Sequence, residues 1–140
     1  MTHAERTDAE LMDAELEAHY RRYIGYLNSR RTDELGDFVQ DELSYNGNSL
    51  TRRDYQNLIA DDVATIPDLY FDVHLLVVNA NRVAARIIFD CTPQRTFRGL
   101  EPTGKKASFA EHVFYRFQDG KIAEVWSLLD QRAIEAQLAA

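Results

Sequence analysis

ASFAEHVFYRFQDGKIAEVWSLL, residues 107–129, is the stretch from which the fold can be read. Side chains alternate between the two faces of a strand. Over Ala107–Gln118 this puts Phe109, Glu111, Val113, Tyr115 and Phe117 on one face, and Ser108, His112, Phe114 and Arg116 on the other. Asp119-Gly120 then supplies the residue pair that a tight, twisted hairpin turn selects, because both central positions need a positive φ. Lys121–Leu129 follows as the partner strand. The segment therefore reads as two long antiparallel strands sharing an apolar face, with the carboxylate of Glu111 in the middle of it.

Working upstream, Leu69–Val78 and Arg82–Thr92 are rich in β-branched and aromatic residues and flank the turn residues Asn79-Ala80-Asn81. Residues 93–106, with Pro93, Gly99, Pro102 and Gly104, form a long connection. Before Pro67 the apolar period is helical. Thr7 and Glu10 have capping-box spacing, and Met12, Leu16, Tyr20, Tyr23 and Leu27 fall on one helical stripe that ends at residues 28–31. A short second helix is expected from Thr32, carrying Leu35, Phe38 and Val39, followed by a short strand over Leu43–Asn46 and a turn at 46–49. The next helix has the clearest start: Thr51 as N-cap, Asp54 at the third helical position and a Leu50–Tyr55 staple. Its stripe is Tyr55, Leu58, Ile59, Val63 and Ile66, and Pro67 stops it. Ala133–Leu138 is a short terminal helix. Helices first and strands later give an α+β class, with N-terminal helices on a curved antiparallel sheet in one domain spanning residues 1–140.

Composition narrows the function. The formal charge is −7, and the basic pairs Arg21-Arg22, Arg30-Arg31, Arg52-Arg53 and Lys105-Lys106 are short and not interleaved with aromatics, so no nucleic-acid partner is expected. No segment approaches a membrane span, and the first residues lack the apolar stretch of a signal peptide. The single cysteine, Cys91, rules out an internal disulfide and fits a cytoplasmic location; after Ile87-Ile88-Phe89 it reads as a buried, inert thiol. His3, His19, His74 and His112 are too scattered for a metal site, and no phosphate loop or nucleophile elbow is present. Neither metal nor cofactor is expected.

Glu111 is the leading candidate for chemistry. A carboxylate among apolar neighbours must be paired, hydrogen-bonded or shifted in pKa, and a raised pKa suits a general acid or base. The alternative is a structural Glu, buried or at a subunit interface. Ser127 and Asp130 lie near the end of the last strand. Strict alternation puts them on opposite faces, although a bulge could bring both inward, and Asp130 could instead cap the terminal helix. Tyr45, Tyr23, Trp126, His112 and Phe109 are the candidate contacts for a bound molecule, with packing in the core or at an interface as the competing role for Tyr23, Trp126 and His112. Asp90, Arg86 and Asp130 could form an acid–arginine–acid set for epoxide hydrolysis, which alternation does not favour.

Pro102-Thr103-Gly104-Lys105-Lys106, Phe109 to Phe117 and Asp119 to Asp130 together resemble the SnoaL-like polyketide cyclase (ester cyclase) family of the nuclear-transport-factor-2-like superfamily. The resemblance implies a cystatin-like, cone-shaped fold enclosing an apolar pocket and a homodimer packed through the sheet. It also implies cofactor-free ring closure of a polyketide ester by a carboxylate acid/base. Ser127 stands where the family carries its catalytic Asp, Glu111 matches a polar pocket position, and Tyr45 stands where many relatives carry His. The expected function is lyase- or isomerase-type acid/base chemistry on a small apolar carbonyl compound, with Glu111 moving the proton and Tyr45, Ser127 or Asp130 bonding the oxyanion. The alternative is a non-catalytic small-molecule binding protein of the same fold.

Overall fold

The structure is a computed structural model describing residues 11–139; the Thr7–Glu10 capping box and His3 lie outside the described residues. Its elements are α1 (Asp13–Asn28), β1 (Val39–Tyr45), β2 (Asn48–Thr51), α2 (Arg52–Thr65), β3 (Asp72–Asn79), β4 (Arg82–Cys91), β5 (Ala107–Gln118), β6 (Lys121–Leu129) and α3 (Gln131–Leu138). The α+β class holds: helices pack on one side of a curved, open six-stranded sheet of order β2-β1-β6-β5-β4-β3.

The curved sheet is antiparallel at every neighbouring pair except one, where β1 runs parallel to β6. The chain reaches β1 from the end of α1 through turns at residues 32–38, not through the expected second helix. Leu35 and Phe38 are buried there, but two anchors in so few residues do not offset the cost of nucleating a helix. Asn46-Gly47 forms the β1–β2 hairpin turn with φ of 48° and 84°, and Asn48–Thr51 is a strand where turn residues were expected. Thr51 caps α2 as anticipated: its hydroxyl accepts from the Asp54 N–H, and the Asp54 carboxylate accepts from the Thr51 N–H.

One irregularity decides which residues of β6 look inward. Phe117 pairs with Ile122 but Arg116 pairs with Glu124, so Ala123 is an extra residue on β6. A bulge of this kind shifts the alternation by one. Ile122 and Val125 are both buried as a result, and beyond the bulge Val125, Ser127 and Leu129 face the helices while Trp126 and Leu128 face out.

The core fills the space between the helices and the concave face of the sheet. Leu16, Tyr20, Tyr23, Ile24 and Leu27 of α1 pack towards Val83, Ile87 and Phe89 of β4 and Phe109, Val113, Tyr115 and Phe117 of β5. Cys91 is buried, as read from the sequence. The opposite face of the sheet is apolar yet exposed: Val77, Ala84, Phe114 and Trp126 lie in register across four strands, followed by Leu75, Arg86, His112 and Leu128, with Phe114 57% and Leu128 74% exposed.

Candidate functional site

Between the helices and the concave face lies a cavity of about 100 Å³. Phe89, Phe97 and Phe109 form one aromatic wall, and Ile59, Ile66 and Leu69 another. The polar groups that reach it are Glu111, Ser127, Asp62 and the phenols of Tyr23, Tyr45, Tyr55 and Tyr115. Of the residues read from the sequence, the fold thus gathers Glu111, Ser127, Tyr45, Tyr23 and Phe109 around one space.

Glu111 and Ser127 meet because their strands are neighbours. Glu111 is opposite Leu129 and Ser127 is opposite Val113, so the two are diagonal neighbours on the inward face. The Ser127 hydroxyl donates a hydrogen bond to the Glu111 carboxylate. Burial raises the Glu111 pKa, the Ser127 hydrogen bond pulls it down, and the Asp62 carboxylate adds a smaller upward push. Burial dominates because the aromatic walls replace the water that would stabilise the charge.

Around this pair the phenols are bonded to one another. Tyr23 and Tyr55 hydroxyls lie 2.6 Å apart, and the Tyr20 hydroxyl donates to Tyr115 at 3.3 Å. Burial raises all four pKa values and that of Tyr45, so these groups remain protonated donors. Asp62 is on the α2 side. Much of this residue is exposed, but enough protein packs around its carboxyl, with Asp61 beside it, to raise its pKa to about 6.

Three sequence candidates lie elsewhere. Trp126 and His112 belong to the outward row, because strand alternation opposes them to Ser127 and Glu111. The Arg86 guanidinium donates to His112 Nε2 at 2.6 Å on that outer face, which also removes Arg86 from any acid–arginine–acid set in the cavity. Asp130 comes after β6 has ended, and its carboxylate accepts from the Ala133 N–H as the N-cap of α3. Asp62 was missed in the sequence, although Tyr55, Ile59, Asp62 and Ile66 recur at steps of four, three and four along the apolar stripe. Among the described residues, no cluster of His, Cys, Asp or Glu is placed to hold a metal ion, and no helix is long and apolar enough to cross a membrane.

The family model of SnoaL-like polyketide cyclases matches residues 17–138, nearly the whole chain and every element that lines the cavity. This chain belongs to the SnoaL-like polyketide cyclase family. It is 46% identical to a SnoaL-like polyketide cyclase from Agrobacterium tumefaciens, over 88% of this chain and 97% of that one, with a TM-score of 0.84. AclR from Streptomyces galilaeus is 26% identical, with 91% and 98% of the two chains covered and a TM-score of 0.76. TsrD from Streptomyces laurentii shares the fold at 20% identity, over 94% and 99% of the chains, with a TM-score of 0.83. A search of curated proteins found no match. Within this SnoaL-like, nuclear-transport-factor-2-like framework, the carboxylate of the cavity stands on β5 and the serine on β6.

Proposed function

We propose that this protein carries out cofactor-free acid/base chemistry on a small, largely apolar carbonyl compound, with Glu111 as the group that moves the proton. The observation that carries this reading is a carboxylate of raised pKa, hydrogen-bonded to Ser127, at the wall of an aromatic cavity. A base of this kind accepts a carbon-bound proton more readily than a solvated carboxylate does. Glu111 takes the proton next to the carbonyl, and the electron pair left behind forms an enolate. Protonated Glu111 no longer holds the Ser127 hydroxyl as an anion does, so Ser127 is freed, beside Tyr45, to donate to the developing oxyanion. The enolate carbon attacks a second carbonyl of the same molecule, one carbon–carbon bond forms, and the alkoxide recovers the proton from Glu111. Asp130 has no part in this scheme, since it caps α3.

The test is exchange of the α-protons of a panel of diketones in deuterated water, followed by NMR. The wild type is expected to catalyse exchange or cyclisation of at least one member, and Glu111→Gln to lose it. Retained turnover in Glu111→Gln rejects Glu111 as the base. A member that binds in the cavity and returns unchanged, with no exchange by the wild type across the panel, favours the binding-protein reading.

We also propose that the protein is a cytoplasmic homodimer whose outward apolar rows receive a second copy. The exposed Val77, Phe114, Trp126 and Leu128 support this, because contiguous apolar surface of this kind marks an interaction face.

A further inference from the structure

Asn46 sits where β1 leaves β6. Its backbone N–H donates to Val125 O at 2.9 Å, the last backbone bond that β1 gives to β6. A parallel ladder continued by one step would next run from the Ser127 N–H to the Asn46 carbonyl. The chain is already reversing into β2 there, with Asn46 at a φ of 48°, and the Ser127 N–H bonds the Asn46 side chain in place of that carbonyl. The side-chain amide takes over that bond and adds a second: Ser127 N–H donates to Asn46 Oδ1 at 2.8 Å, and Asn46 Nδ2 donates to Ser127 O at 3.2 Å. We infer that Asn46 is a positioning residue, whose amide fixes the backbone of Ser127 so that the Ser127 hydroxyl stays on the Glu111 carboxylate. This rests on the proposed role of Glu111 and extends it to a residue outside the cavity lining.

The molecule uses the same device twice more. Asn28 brackets the backbone of Phe71, donating to its carbonyl at 3.1 Å and accepting from its N–H at 2.7 Å. Gln137 of α3 does so at Ser108, at 2.6 Å and 2.7 Å. Gln137 ties α3 to β5 at Ser108, beside the wall residue Phe109 but with no bond to Glu111 or Ser127, whereas Asn46 brackets the residue whose side chain bonds Glu111. The Gln137 bracket is thus an internal control for a purely structural amide.

The readout is the titration of the Glu111 carboxyl in the free protein, followed by carbon NMR, which needs no substrate. The groups that bear on Glu111 are Ser127 of β6, Asp62 of α2 and the phenols Tyr20 and Tyr23 of α1, Tyr45 of β1, Tyr55 of α2 and Tyr115 of β5, with Arg98 of the 93–106 loop acting on Asp62 and Tyr45. A hydrogen bond to the charged form lowers a carboxyl pKa, so loosening it raises that pKa. Asn46→Gly suits the left-handed turn and removes only the amide. It should raise the Glu111 midpoint by at least half of the rise caused by Ser127→Ala, add nothing when combined with Ser127→Ala, and speed hydrogen exchange at the Ser127 N–H. Gln137→Ala should leave the midpoint where it is. An unmoved midpoint in Asn46→Gly overturns the inference, as does an undiminished shift in the Ser127→Ala background. Turnover surviving in Glu111→Gln defeats the functional proposal instead, and the two failures are read in different experiments.

Discussion

Replacing Glu111 by Gln should stabilise the fold, increasingly so as the pH rises. The folded-state pKa of Glu111 is raised above the ordinary 4.5, chiefly by burial, so over the interval between those two values the native state holds a proton that the unfolded chain has lost. Stability then falls as pH increases, with a limiting slope of about 1.4 kcal/mol per pH unit from this one group. The associated stability is fully present below pH 4.5, is lost progressively up to the folded pKa, and above that the cost is constant. Gln keeps the shape and an acceptor for Ser127 but cannot titrate. With an unfolding entropy of about 0.3 kcal/mol/K for a chain of this size, the slope corresponds to about 5 °C in Tm per pH unit. Urea unfolding of wild type and Glu111→Gln in steps from pH 4.5 to 8 measures the difference directly. Asp62 contributes with the same sign in both proteins and largely cancels. The difference should rise and then level off, with the level point marking the pKa of Glu111. A flat difference, or one that grows towards acid, would refute the account of Glu111 as a desolvated carboxyl.

Removing the α2 cap by Thr51→Ala should cost about 1 kcal/mol in urea unfolding, since the hydroxyl satisfies the Asp54 N–H. Burial pushes the Cys91 thiol up to about 12, so native protein at pH 8 should react with a disulfide reagent far more slowly than unfolded protein, measured as thiolate release. Trp126→Glu places a charge in the middle of the outward apolar row; sedimentation should show a dimer for the wild type and a monomer for this variant, at unchanged helix content.

The strands of the C-terminal half were legible because alternation over Ala107–Gln118 and the Asp119-Gly120 turn are local signals, and their boundaries agree with the structure. The inward placement of Glu111 follows from the same alternation. Asp62 required reading a helical stripe for its polar member as well as its apolar ones. The parallel pairing of β1 with β6 was not legible, since it joins segments some eighty residues apart and leaves no periodic trace in either. Trp126 and His112 were carried as pocket candidates because aromatic and imidazole groups suit ligands, yet their parity, once the strand was in phase, placed them outside. Asn46 looked like ordinary turn chemistry; its amide gains meaning only from the strand beside which the turn lands.

The one-residue offset at Ala123 has a bearing on how such a cavity changes over generations. Held in strict alternation with Ala123 in place and no bulge, the strand would carry the inward phase of Ile122 on through Glu124, Trp126 and Leu128, and Ser127 would face water. A codon lost at that spot would instead straighten the strand and leave Val125, Ser127 and Leu129 inward, because the residue removed is the one the bulge sets aside. Descendants of this fold can therefore shed that residue without disturbing the interior, whereas a residue lost or gained further along the strand, with no bulge to absorb it, would swap indole for hydroxyl.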